Sequence, residues 1–117
     1  MIRPLVFVVL AALSSSTGAW AHSVLLAARP AANSTVSAVG GVEVSLRFDS
    51  RVDARRSSLA IELPDGRKLR LTPLQGDEPG TVKARADALP AGKYKIVYEV
   101  LSIDGHFARG ASPFTVE

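Results

Sequence analysis

The chain contains no cysteine, and it has one methionine and one tryptophan among its 117 residues. Without cysteine it cannot form disulfides, so its hydrophobic core must stabilise the fold alone. Met1 and Trp20 both lie within the first 20 residues. If that segment is removed, the remaining domain has no sulfur, and any metal site in it must use nitrogen and oxygen donors.

Long apolar runs and concentrated charge of one sign are also lacking. No stretch reaches the roughly 20 apolar residues that a membrane-spanning helix needs, so we expect a protein that is not embedded in a membrane. Lysine and arginine number 14 against 11 aspartate and glutamate, a formal net charge of +3. The densest basic clusters, at residues 55–56 and 67–70, have no interleaved aromatic side chains for base stacking. This argues against a nucleic-acid partner.

The first 21 residues have the pattern of a cleaved secretory signal peptide. Arg3 supplies the positive charge, residues 5–13 form a short apolar region, and Ala19-Trp20-Ala21 has the A-x-A form of a cleavage site. Cleavage after Ala21 would leave an exported domain of residues 22–117. Its formal net charge would be +2, and His22 would be its N-terminal residue.

In this domain, apolar and polar residues alternate with the period of two that is typical of β-strands. The predicted strands lie at residues 23–28, 42–48, 59–63, 69–71, 82–84, 92–101 and 114–116. Turn residues rich in glycine and proline separate them, and no ten-residue segment has a helical stripe. Six to eight short strands in fewer than 100 residues predict an all-β, single-domain Greek-key sandwich or barrel, immunoglobulin-like or cupredoxin-like in kind.

The two histidines of the chain, His22 and His106, both lie where a metal could use them. An N-terminal histidine offers two nitrogens, the α-amine and the ring, which can close one chelate ring. Asp104-Gly105-His106 offers a carboxylate and a second ring. They project to the same side if the segment is extended, and Gly105 also allows a tight turn that would bring them together. A terminal histidine alone is more often an ordinary chain terminus, and an Asp-x-His triplet alone is more often a surface turn. Combined, three nitrogens and one oxygen favour Cu(II) over Zn(II) or hard cations.

Several segments resemble a known family. They are His22-Ser23-Val24-Leu25, Arg29-Pro30-Ala31, residues 42–48, residues 89–100, Ser102-Ile103-Asp104-Gly105-His106, Gly110 and residues 114–116. Together they resemble the CopC family of periplasmic copper-binding proteins, over nearly all of the mature chain.

The resemblance implies a β-sandwich that binds one Cu(II) ion through the amine and ring of His22, Asp104 and His106. It also implies a periplasmic carrier or buffer in copper resistance or homeostasis, with an inner-membrane copper transport protein of the CopD type as a candidate partner. The chain departs from the family at Tyr98, where tryptophan is frequent. It also lacks the methionines of a Cu(I) site. Asp49 and Ser50 occupy a region where some members carry an acidic residue near copper, and the sequence leaves the roles of Asp49, Ser50 and Tyr98 open.

Two other functions stay open on the sequence. A terminal-histidine copper brace also occurs in oxidative polysaccharide monooxygenases, but this domain has few aromatic residues for a polymer surface, and Asp104 would fill a position that oxygen chemistry needs. A metal-free structural sandwich is the other alternative. We do not expect an enzyme, because the sequence contains no recognisable nucleophile–base pair. We interpret Ser102 as a turn hydroxyl.

Overall fold

The alternating pattern forms nine β-strands in residues 23–117, the part of the chain that the computed structural model describes. They are β1 (Leu25–Arg29), β2 (Thr35–Val36), β3 (Val42–Phe48), β4 (Val52–Glu62), β5 (Lys68–Leu71), β6 (Leu74–Gln75), β7 (Thr81–Ala86), β8 (Gly92–Ser102) and β9 (Phe107–Val116). No helix occurs within these described residues, and hence none with the length and apolar character to cross a membrane.

The strands form two sheets that pack face to face. One sheet has the order β1-β3-β7-β6 and the other the order β2-β9-β8-β4-β5. Neighbouring strands are antiparallel, except that β2 pairs with β9 in parallel. Within the described residues the chain crosses between the sheets five times, from β1 to β2, β2 to β3, β3 to β4, β5 to β6 and β7 to β8, so strands distant in sequence share a core. The predicted all-β sandwich is confirmed.

The core lies between the sheets and consists of the inward residues of each strand. In β3 the buried positions are Val42, Val44, Leu46 and Phe48, and in β8 they include Ile96 and Val100. Complete burial of such side chains contributes about 1.5–3 kcal/mol each before the entropy of folding is counted. Aliphatic and aromatic packing therefore forms the core of the described domain, which contains no cysteine to form a disulfide.

Three features of the strands differ from the sequence prediction. The two-residue strands β2 and β6 were not predicted, and β4 begins at Val52 rather than at residue 59. The last strand begins at Phe107 and continues through Pro113, whereas we predicted a strand that begins only after this proline, at residues 114–116. The Pro113 carbonyl accepts a hydrogen bond from Asn33 N at 2.7 Å, so this part of the backbone faces away from β8. Proline is tolerated there because no hydrogen bond to β8 is lost.

Tyr98 of β8 lies directly opposite Gly110 of β9, and its ring covers the glycine. A Cβ atom on Gly110 would lie 2.6 Å from Tyr98 Cζ, far inside van der Waals contact. On its other side, the Tyr98 ring packs edge-on against Phe48, with 5.4 Å between the ring centroids. Glycine at position 110 therefore allows this aromatic pair to form between the two sheets.

We expect Gly110→Ala to destabilise the domain by about 1–3 kcal/mol, because the new methyl group must displace the Tyr98 ring from Phe48. Urea denaturation measures the change in the free energy of unfolding. Gly40→Ala is the matched control, since a Cβ on Gly40 meets no atom within 4 Å. Equal stability of the two variants would contradict the packing described for Tyr98.

Candidate metal centre

Residues 102–106 form the tight turn that joins β8 to β9. Ser102 N donates to His106 O at 2.8 Å, and Gly105 N donates to Ser102 O at 2.9 Å. Gly105 has a φ of 88°, in the left-handed region that favours glycine. The aspartate and the histidine are thus brought together by a glycine-containing hairpin turn, and not by an extended strand.

Asp104 and His106 are side by side on this turn. The carboxylate Oδ2 lies 3.4 Å from His106 Nδ1, and Oδ1 accepts a hydrogen bond from His106 N at 3.1 Å. That backbone hydrogen bond lowers the pKa of Asp104, so its carboxylate is anionic throughout the neutral range. The exposed fractions of the two side chains are 38% and 61%, so an ion in solution can reach both.

The third predicted ligand, His22, lies outside the described residues, and so does the predicted signal peptide. The described chain begins at Ser23, which is buried. Ser23 Oγ contacts Ser102 Oγ at the end of β8 and Ser50 Oγ in the β3–β4 loop. Its neighbour Val24 donates its N–H to Asp49 Oδ1 at 2.8 Å, and its carbonyl accepts from Asp49 N at 3.0 Å. The first described residue therefore contacts Ser102, the residue at which the turn carrying Asp104 and His106 begins.

The β3–β4 loop contacts both of these segments. Asp49 and Ser50 hold Ser23 and Val24, and Arg51 O accepts a hydrogen bond from Ile103 N at 3.0 Å. This loop therefore links the start of the domain to the turn through hydrogen bonds.

Of the residues whose roles the sequence left open, Asp49 and Ser50 thus contact the start of the domain. Tyr98 packs against Phe48, which immediately precedes Asp49 in the sequence. Burial raises the pKa of the Tyr98 phenol.

Ser102 is not a turn hydroxyl, and our interpretation of it was wrong. Only 2% of the residue is exposed, and its hydroxyl points into the buried contact with Ser23. The strand pattern contained the signal for this: Ile96, Val100 and Ser102 alternate on the inward face of β8. We missed it because the predicted strand ended at residue 101. The backbone of Ser102 belongs to the turn, and its side chain belongs to the core.

Residues 23–117 contain no group of three or more His, Cys, Asp or Glu side chains that could hold a metal ion. The two potential metal ligands that these residues bring together are Asp104 and His106, on the turn that Ser23 contacts through Ser102. Apolar side chains are exposed on the same elements, among them Val24 before β1, Ile103 in the turn and Phe107 at the start of β9.

Comparisons with known proteins agree with this architecture. The family model described as "CopC domain" matches residues 25–117. Protein YobA of Escherichia coli K12 is 31% identical over 101 residues, which cover 84% of this chain and 81% of YobA. Protein YobA of Shigella flexneri matches to the same extent.

Solved structures agree as well. The crystal structure of CopC from Methylosinus trichosporium OB3b superposes with a TM-score of 0.75 and 35% identity, over 82% of this chain and 94% of that one. PcoC, a methionine-rich copper resistance protein from E. coli, superposes with a TM-score of 0.70 over 83% of this chain and 100% of that one. At 24% identity, PcoC supports the fold alone.

Proposed function

The chain belongs to the CopC domain family, and from that premise we propose that it is an exported protein that binds one Cu(II) ion. In this proposal the ion is cargo, held in the periplasm by the amine and ring of His22, by Asp104 and by His106. The protein acts as a carrier or buffer in copper resistance or homeostasis and not as an enzyme.

The observation that supports this most is the contact between Ser23 and Ser102. Ser23 follows His22 in the chain, and consecutive Cα atoms are 3.8 Å apart. Ser102 closes the turn that holds Asp104 and His106. Because the Ser23 and Ser102 side chains touch, the residue that follows His22 in the sequence lies beside that turn. This contact between residues 79 positions apart supports the proposal that His22 and the turn bind one ion.

The donor chemistry supports Cu(II) as the ion. Two imidazoles and an amine supply three nitrogens, and the Asp104 carboxylate supplies an oxygen with a negative charge that partly neutralises the dication. Such nitrogen and oxygen sets, in tetragonal geometry, are typical of Cu(II). Because the amine and both rings must lose their protons to bind, affinity should fall as the pH drops from neutral toward acidic values.

The openness of the turn supports a carrier or buffer. Both Asp104 and His106 are partly exposed, so the ion can enter and leave without unfolding of the sandwich. A membrane copper transport protein of the CopD type is the partner we propose for the transfer. The exposed apolar residues near the turn, Val24, Ile103 and Phe107, are positioned to meet such a partner.

Reduction should release the copper. The processed protein, beginning at His22, is expected to retain one equivalent of Cu(II) after desalting. It should lose that copper when ascorbate and a Cu(I) chelator are added, because a site without thiolate or thioether binds the soft monovalent ion poorly. Metal analysis after a second desalting measures the loss, and a sample with chelator but without ascorbate is the control. Copper retained as Cu(I) against a moderate chelator would contradict the proposed donor set.

A further inference from the structure

Ser102 joins the two halves of the candidate site, and we propose that it is the positioning residue that sets the N-terminal chelate of His22 against Asp104 and His106. This inference rests on the proposed function. It assigns Ser102 no contact with the ion. Its role is to fix the distance between two groups of ligands that come from opposite ends of the chain.

The backbone of Ser102 closes the turn that carries Asp104 and His106. Its N–H donates to His106 O at 2.8 Å, and its carbonyl accepts from Gly105 N at 2.9 Å. Both peptide groups of the residue are therefore used to close the loop that carries Asp104 and His106. A displacement of Ser102 would move both ligands together.

The side chain of Ser102 contacts the other half. Its hydroxyl meets that of Ser23 and lies 3.4 Å from Ser50 Oγ. A buried hydroxyl without a hydrogen-bond partner destabilises the fold, so these three groups favour the arrangement in which they satisfy one another. Such a cluster specifies one geometry, whereas an apolar contact would allow sliding.

A second anchor fixes the direction of the chain at this point. Val24 exchanges two hydrogen bonds with Asp49, one to the carboxylate and one to the backbone. With Val24 held by Asp49 and Ser23 held by Ser102, the first two described residues are fixed beside the turn. Metal ligands need placement within about 0.5 Å, so a contact one residue away from the chelating amine is close enough to matter.

Removing the Ser102 hydroxyl should weaken copper binding while preserving the fold. In Ser102→Ala, the hydroxyls of Ser23 and Ser50 still contact each other, and the backbone of the turn is unchanged. We expect the Cu(II) affinity of the processed protein to fall about 10–100-fold, the usual loss when an outer-shell partner is removed. Ser102→Thr keeps the hydroxyl and should recover most of the affinity.

Ser112 provides the matched control. It is a buried inward-facing serine of β9 whose hydroxyl has no hydrogen-bond partner among the described residues. Ser112→Ala removes the same atom from the core away from the turn, and should leave copper affinity unchanged. If Ser102→Ala fails to fold, Ser23→Ala removes the same contact from the opposite side and should show the same loss.

The decisive test is a double-mutant comparison by competition titration with Cu(II), accompanied by electron paramagnetic resonance (EPR) spectra. Each variant is measured in the processed form and in a form that keeps residues 16–21 before His22, so that the chelating amine is absent. Ser102→Ala should weaken binding in the processed form and have no further effect in the extended form. Wild-type affinity and spectrum in processed Ser102→Ala would overturn the proposal, and so would an equal loss in both forms. If the processed wild type binds no Cu(II), the proposed function itself is wrong.

Discussion

The affinity for Cu(II) should fall sharply when the α-amine of His22 becomes a peptide nitrogen. The form that keeps residues 16–21 retains the His22 ring and every described residue, yet it cannot form the N-terminal chelate. We expect its Cu(II) affinity to fall by more than the roughly 10–100-fold that loss of an outer-shell partner costs, because a ligand bound to the ion is lost.

The physical reason is the protonation chemistry of an N-terminal amine. Its pKa in an unstructured chain is about 7.7–8.0, so Cu(II) can displace its proton near neutral pH. The amine and Nδ1 of the same histidine then close a six-membered ring on the ion. A peptide nitrogen holds its proton far more strongly, so the extended form has one ring nitrogen where the processed form has a bidentate chelate.

Parallel titrations of the two forms against a competing chelator measure this difference. The midpoints of urea unfolding without copper should coincide, because the core of residues 23–117 is the same in both. An extended His22→Ala variant reports what the ring alone contributes. Equal affinity in the processed and extended forms would mean that the terminus is not a ligand.

The second large effect concerns the turn. His106→Ala should remove one of the nitrogen donors and alter the EPR spectrum of the bound ion. Asp104→Asn preserves the shape of the side chain but removes the charge that helps to neutralise the dication, so affinity should fall without a change of ligand geometry. We expect each loss to exceed that of Ser102→Ala, because in the proposed site these groups contact the ion directly.

Asp65 provides an internal control for the aspartate. It lies in the β4–β5 turn, its Oδ1 accepts from Arg67 N at 3.0 Å, and this hydrogen bond lowers its pKa as the His106 backbone lowers that of Asp104. Asp65→Asn therefore repeats the same chemical change on a similar turn away from the candidate site. If Asp65→Asn and Asp104→Asn affect copper binding equally, the Asp104-Gly105-His106 triplet is only a turn.

Much of the fold could be predicted because apolar and polar residues alternate with the strand period in the central strands. Residues 42–48 and 92–101 were predicted as strands, and both lie inside the two sheets of the sandwich. The prediction was wrong where tertiary contacts override local preference. Pro113 stays inside β9 because its backbone faces Asn33, a residue 80 positions earlier. No local pattern shows that partner.

Part of the candidate site could likewise be predicted from the sequence, and part could not. Asp104 and His106 were predicted to converge, either along an extended segment or through a tight turn at Gly105, and the structure forms the turn. The cluster of Ser23, Ser50 and Ser102 was missed, since isolated serines occur in every kind of turn and only the sandwich brings these three together. The participation of His22 stays a prediction, now supported by the position of its neighbour Ser23.

The most direct measurement is an EPR spectrum of the processed protein with one equivalent of Cu(II). We predict a single tetragonal species with hyperfine structure from several nitrogens, formed completely at one equivalent, while a second equivalent adds only the signal of unbound copper. Loss of nitrogen hyperfine structure in the extended form and in His106→Ala would assign the ligands. A spectrum of unbound copper at the first equivalent, or one that both changes leave unaltered, would contradict the proposed site.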